Sequence, residues 1–345
     1  MRKITLLTSL LPSIVLAQNG FLQLQHTTFK QGSTQDNLSS FYGKVEEKKS
    51  FLEGDLEVEG GVTANGVLTK TSTPTFFTTV DDADLLLHQL ALNYYPTHQS
   101  MLSLGREAMN LNLLNGSFDG ALVATTFENL FIKGFYFKHY SYLVPTLYEN
   151  QSLNGLTGVN LNYSKGYFET ELSYFNENSE HRSNLYVGFY NKPYRAGVEQ
   201  MQFLSPTLSG ERAYKLLLGM KVKHLYAETG YINVYEGGLK NIYRFGGSEF
   251  NAFGLTSFLE QKNAQNGYLD ITYNHRPLFA KLHLARTNFD FGASSYQGDE
   301  VGVTLGYRYN KQLGLTLQAL TQKSNQTAPF GNRSSWLHTN LEYRF

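Results

Sequence analysis

The sequence predicts an all-β chain: a transmembrane antiparallel β-barrel of about eighteen strands, with sixteen as the rival count. Three observations point there. First, the C-terminal stretch alternates with period two. Val301, Val303, Leu305, Tyr307 and Tyr309 interleave with Gly302, Thr304, Gly306 and Arg308. Leu313, Leu315, Leu317 and Ala319 interleave with Gly314, Thr316 and Gln318. Leu337, Thr339, Leu341, Tyr343 and Phe345 interleave with His338, Asn340, Glu342 and Arg344. Successive side chains of a strand point to opposite faces, so each run has one apolar and one polar face. A membrane barrel needs that pattern, with apolar residues toward lipid and polar ones toward the lumen. Second, the 345 residues include 24 Tyr and 24 Phe but one Trp, an aromatic load that fits interfacial girdles around such a barrel. Third, short turns and longer loops alternate along the chain, which places the two kinds of connection at opposite ends of a barrel.

Composition narrows the alternatives. Basic and acidic residues balance at 29 each, so the cationic surplus that phosphate neutralisation requires is missing and nucleic acid is not an expected partner. With no cysteine, disulfides and thiolate metal sites are excluded. Met1-Arg2-Lys3, the apolar run Ile4 to Leu16 and Val15-Leu16-Ala17 have the form of a signal peptide over residues 1–17, leaving 18–345 as a single barrel domain. No later run approaches the roughly 18 to 20 apolar residues of a membrane helix.

Taken in order, Gly20 to Lys30 reads as the first strand and Gln31 to Ser50 as a polar loop. Phe51 to Glu59 and Val62 to Thr71 read as strands about a Gly60-Gly61 turn, the second of them weak. Leu85 to Tyr95 and Met101 to Arg106 follow, and Glu107 to Thr125 reads as a loop whose Asn115-Gly116 and Asp119-Gly120 pairs permit tight turns. Thr126 to Ile132 and Phe135 to Tyr142 flank a Lys133-Gly134 turn. Hairpins then turn at Ser164-Lys165-Gly166, Asn191-Lys192-Pro193, Lys223-His224 and His275-Arg276-Pro277; the longest loop, Glu236 to Asn266, separates the last two. Eight short turns and nine longer loops give eighteen strands with both termini at one end.

By strand parity the inward faces carry Lys138, Glu169, Glu171, Arg195, Glu199, Lys215, Lys221, Glu228, Asp270, Lys281, His283, Glu300, Arg308, Glu342 and Arg344, a lumen of mixed sign. In a barrel of this width such charges solvate the interior and pair across strands, or line a selective path. The nine histidines are scattered, with no HExxH or other ligand spacing, and there is no Gly-rich phosphate loop. No metal, cofactor or catalytic activity is expected.

The stretch Leu104-Gly105-Arg106, then Asp119-Gly120, then Thr125-Thr126-Phe127-Glu128-Asn129 resembles the fifth-strand and third-loop region of the OprD family of substrate-specific bacterial outer-membrane porins. The resemblance implies a barrel whose third loop narrows the pore, and diffusive uptake of small solutes, often carboxylates, past lumen Arg and Lys. Arg106, Asp119 and Glu128 match the family pattern. Ala121-Leu122 stand where the family commonly has an Arg, and the chain is shorter than usual.

The expectation is therefore a porin in the outer membrane of a Gram-negative bacterium, passing small hydrophilic solutes and constricted by the loop 107–125. Arg106, Asp119, Glu128, Lys138, Arg195, Lys215, Lys281 and Arg308 are the candidate pore residues. Tyr343 and Phe345 are the candidate C-terminal signal for the barrel-assembly machinery. Lipid and lipopolysaccharide are the expected surroundings, and monomer and homotrimer both remain open. The alternative is a closed or plugged barrel with a structural or adhesive role.

Overall fold

The computed structural model describes residues 19–31, 33–71, 83–111, 114–141, 150–177, 180–204, 211–235, 258–325 and 333–345. The expected signal peptide lies outside them. Eighteen strands form one antiparallel sheet: β1 (Asn19–Gln31), β2 (Thr34–Phe51), β3 (Leu56–Lys70), β4 (Ala83–Thr97), β5 (Ser100–Leu111), β6 (Leu114–Phe127), β7 (Leu130–Ser141), β8 (Asn150–Lys165) and β9 (Phe168–Glu177). They continue as β10 (Glu180–Asn191), β11 (Tyr194–Leu204), β12 (Glu211–Val222), β13 (Leu225–Tyr235), β14 (Lys262–His275), β15 (Leu278–Phe291), β16 (Ser294–Arg308), β17 (Leu313–Ser324) and β18 (Arg333–Arg344). Each strand pairs with its sequence neighbour, and β1 pairs with β18 from Phe21↔Arg344 to Gln31↔Ser334, so the sheet closes. Closure leaves no free edge, which is what lipid requires of a sheet. A last rung joins Gly20 and Phe345, whose N–H groups each donate to the other's carbonyl at 3.3 and 3.1 Å.

Parity explains which residues fill which face. On β12, Leu216, Leu218, Met220 and Val222 are exposed on the outer wall, while Ala213, Lys215 and Leu217 are buried inside. On β16 the outer row is Val301, Val303, Leu305 and Tyr307. Every strand has ten or more residues, enough for the 9 to 11 a tilted membrane strand needs. Exposed Tyr94, Phe127, Tyr163, Phe168, Tyr190, Tyr194, Tyr273 and Tyr307 lie near the end that carries both termini. This is the aromatic girdle of the periplasmic end in barrels of this class.

The strand count agrees with the sequence, but the first third is laid out differently. Residues 34–51, expected to be a loop, are β2, and the turn falls at Leu52–Gly54 rather than at Gly60-Gly61. The charges of β2 obscured its alternation. Lys44, Glu46 and Lys48 point inward and pair with lumen partners instead of interrupting a strand. Gly61 lies within β3, where a Cβ would stand 2.5 Å from the His88 ring. Gly61 therefore makes room for a buried histidine, and the Gly60-Gly61 pair does not turn the chain. Lys133-Gly134 likewise lies within β7, and the turn is at Glu128-Asn129. At the far end, four connections are as short as the periplasmic turns: 32–33, 112–113, 178–179 and 292–293.

Candidate functional site

The interior is the candidate site. Three of its features come from different parts of the chain.

The first is an apolar plug. The long connection between β13 and β14 ends in a short 3-10 turn, Phe258–Glu260, and Phe258 and Leu259 are buried. They pack against the inward faces of β11 to β15, through Met201, Ala213, Ile232, Val234, Ala264, Tyr268, Ala285 and Phe289, with Tyr296 of β16 alongside. The Phe258 ring stacks on Phe289 with centroids 5.1 Å apart. It fills the space over Gly298, where any Cβ would overlap it. Small residues at 213, 264, 285 and 298 hollow the wall for this insertion. Periodicity carries no signal for it: Phe258-Leu259 is one of several apolar groups in the stretch 236–266, with nothing to single it out.

The second is a charged cavity of about 540 Å³, which reaches the wall near the periplasmic turn at Asn129. Its charged lining is Glu169 and Glu171 on β9, Arg195 and Glu199 on β11, Lys215 on β12 and Glu228 on β13. Tyr186 Oη donates to Glu169 Oε1 at 2.7 Å, and Arg195 Nη2 reaches the same oxygen at 3.3 Å. Asn160 Nδ2 donates to Glu171 at 3.0 Å. Glu228 accepts from Tyr226 at 2.5 Å and from Tyr268 at 2.9 Å. Lys215 Nζ lies 5.6 Å from the centre of the Tyr268 ring. Tyr268 thus joins the plug to the cavity: its ring packs in the apolar cluster and its hydroxyl holds a glutamate.

The third is a set of ion pairs on the rest of the inner wall. Lys281 lies 3.4 Å from Asp270, whose other oxygen accepts from His283 Nδ1 at 2.5 Å. Arg308 and Arg344 both reach Glu342 Oε1, at 3.3 and 2.5 Å. Lys48 bridges Glu57 and Glu59 at 2.5 and 3.1 Å.

Of the eight pore residues expected from sequence, Arg195, Lys215, Lys281 and Arg308 face the lumen, the first two in the cavity and the last two on the wall beyond it. The other four lie elsewhere. The described residues of 107–125 are not a loop folded into the pore: β5 and β6 pair in unbroken register from Ser100↔Thr125 to Leu111↔Leu114. The Asn-Gly and Asp-Gly pairs that suggested turns sit within β6. Arg106 pairs with Leu90, which is 52% exposed, and follows Leu104, which is 50% exposed, so it stands on the outer wall. Asp119 is opposite it on the same face. Arg106 Nε and Nη2 each donate to one Asp119 oxygen at 2.5 Å, and Nη1 donates to the Leu87 carbonyl at 2.8 Å. Glu128 is in the periplasmic turn, with φ at 48°. Lys138 is exposed, at a bulge where the β7–β8 register jumps from Phe137 to His139. The β7 cation that faces inward is Lys133, 5.2 Å from the Phe131 ring centre, and parity missed it because those residues were read as a turn.

The Arg106–Asp119 fork sits at the upper edge of the apolar belt, as does a second outer-wall pair, Arg286 with Asp299 at 2.6 Å. Removing one partner of the first pair strands the other beside lipid. Arg106→Ala should therefore lower barrel stability by about 1–3 kcal/mol, whereas replacing both residues by Leu should recover most of that loss. Urea unfolding of the three variants checks this, and equal losses in all three would show that the charges do not act as a pair.

No sequence-family model and no curated protein sequence matches the chain. Solved structures do match, over nearly the whole length. OccAB1 of Acinetobacter baumannii superposes with a TM-score of 0.77 at 10% identity, covering 95% of this chain and 96% of that one. OccK9 (OpdG) of Pseudomonas aeruginosa does so with 0.77 at 14% identity, over 95% and 98%. OpdK of Pseudomonas aeruginosa, solved with vanillate, gives 0.75 at 14% identity, again over 95% and 98%. These are OprD-family outer-membrane porins. The chain has the OprD-family fold. Within that OprD-type barrel the Gly-Arg and Asp-Gly sequence pattern becomes an outer-wall ion pair beside the paired Gly105 and Gly120. The inward insertion comes instead from the β13–β14 connection.

Proposed function

We propose that the protein is an outer-membrane porin through which small hydrophilic solutes diffuse down their gradient. The observation that carries this is the combination of a closed eighteen-strand wall, apolar outside, with an inner cavity lined by six charged side chains. A purely structural barrel of this width has no need to solvate its interior so heavily, while a solute path does. The Phe258–Leu259 end of the β13–β14 connection is the width-limiting element. Arg195 and Lys215 line the path below it, and Lys281 and Arg308 the adjoining wall. The work is exclusion by size and bias by charge, with no bond made or broken. The expected location is the outer membrane of a Gram-negative bacterium, after loss of residues 1–17.

Planar-bilayer recording of the refolded protein tests the proposal. Discrete ohmic steps of single-channel size are expected. A folded, heat-modifiable barrel that stays silent would establish the plugged reading, which the apolar cluster around Phe258 favours.

A further inference from the structure

We propose that the charged cavity between β8 and β13 makes this channel cation-selective, admitting small inorganic cations and ammonium-bearing solutes ahead of anions. The inference rests on the channel reading above and adds the class of solute.

Four glutamates line the cavity against Arg195 and Lys215, and Lys133, over the ring of the lining residue Phe131, brings a third cation to its edge. How those glutamates are held decides what they contribute. Glu228 takes its hydrogen bonds from the hydroxyls of Tyr226 and Tyr268. Glu171 accepts from the Asn160 amide at 3.0 Å and the Ser173 hydroxyl at 3.3 Å. Such neutral donors orient a carboxylate and favour its ionised form without cancelling its charge. Arg195 is committed to Glu169 and to the Tyr186 hydroxyl. Lys215 stands between Glu199 of β11, its cross-strand partner, and the face of Tyr268. The negative charge of the cavity is therefore only partly offset.

The wall beyond the cavity differs. There Lys281 meets Asp270, Lys44 meets Glu46 at 2.5 Å, and two arginines meet Glu342. Lys48 there serves two glutamates, so the wall carries acidic groups of its own, but the recess gathers four of them in one place. A recess walled by low-dielectric protein focuses the field of its charges and enriches counter-ions.

Reversal potentials of the full mature chain in a planar bilayer test this. Under a KCl gradient, K⁺ should pass about three to ten times more readily than Cl⁻. Glu171→Gln with Glu228→Gln should bring that ratio close to one. Glu47→Gln, an exposed change on the outer face of β2, should leave it unchanged. Ethylammonium chloride and potassium acetate gradients separate the solute classes: ethylammonium should carry current and acetate little. A near-zero or anion-directed potential in a conducting channel overturns the inference and leaves the porin reading standing. Cation preference that survives the double substitution overturns its assignment to these glutamates. An ethylammonium current no larger than that of acetate overturns the organic half. Absence of conductance from a folded barrel overturns the channel reading and the inference with it. Heat-modifiable mobility establishes folding of each variant.

Discussion

Gly105→Ala should leave the chain unable to form a stable barrel. Gly105 has φ at 125°, a region closed to side chains that carry a Cβ. It also lies against β4 so closely that a Cβ would overlap the Leu90 carbonyl oxygen. Neither problem is relieved by moving a flexible side chain, because both obstacles are backbone. The strain of a forced φ and the displacement of a strand together cost about 3 kcal/mol or more, a large part of the net stability of a domain. Its partner across the ladder, Gly120, is equally confined: a Cβ there would overlap the Tyr136 carbonyl, and Gly120→Ala should behave alike. Gly134 on β7 is the control, since a Cβ there meets nothing within 4 Å and Gly134→Ala should refold normally. The measurement is the fraction of refolded protein with heat-modifiable mobility, followed by its urea midpoint. A Gly105→Ala barrel that refolds in full with the parent midpoint would refute the account.

The same pair shows how far the sequence could be read. Leu104-Gly105-Arg106 and Asp119-Gly120 were visible as a recurring pattern, but their meaning depended on which way the strands face. Parity assigns faces only while the ladder is regular. The β4 strand bulges between Gly61/Val62 and its partners, and β7 bulges between Phe137 and His139. A bulge adds one residue and reverses the parity beyond it. On β7 the bulge is not the cause: Phe135 and Phe137 are apolar yet pack inward, so Lys138 lies outside, and Lys133 was hidden by the turn expected at Lys133-Gly134. Where no bulge intervenes, from β11 to β13 and from β15 to β18, alternation alone put Arg195, Lys215, Lys281 and Arg308 on the inner face. The turn positions there were also found to within a residue or two. The charged β2 was lost for another reason: a strand that faces water on one side and reaches beyond the bilayer does not need an apolar face along its whole length. The plug had no period to detect, because a loop residue is buried by tertiary fit alone.

Replacing that plug should produce the largest functional change. Phe258→Ala with Leu259→Ala removes the two apolar side chains of the loop from the cluster on β11 to β15. The contacts they lose are worth several kcal/mol, on the order of 3–5 for a buried Phe alone. That loss falls on the attachment of the loop, because the wall is held by its own strand ladders. The barrel should therefore still refold, with the loop end released from the lumen and single-channel conductance raised by roughly twofold as the path widens. Gly298→Leu reaches the same result from the other side. Its side chain would occupy the space of the Phe258 ring and exclude it, with no change in the loop sequence. Agreement between the two variants would separate release of the plug from any effect of the loop residues on the solute itself. An unchanged conductance in both, with folding intact, would remove the β13–β14 connection from the constriction. The width limit would then have to be sought in the second internal cluster, where Phe118, Phe135, Phe137 and Phe175 pack together on the inner face of β6 to β9.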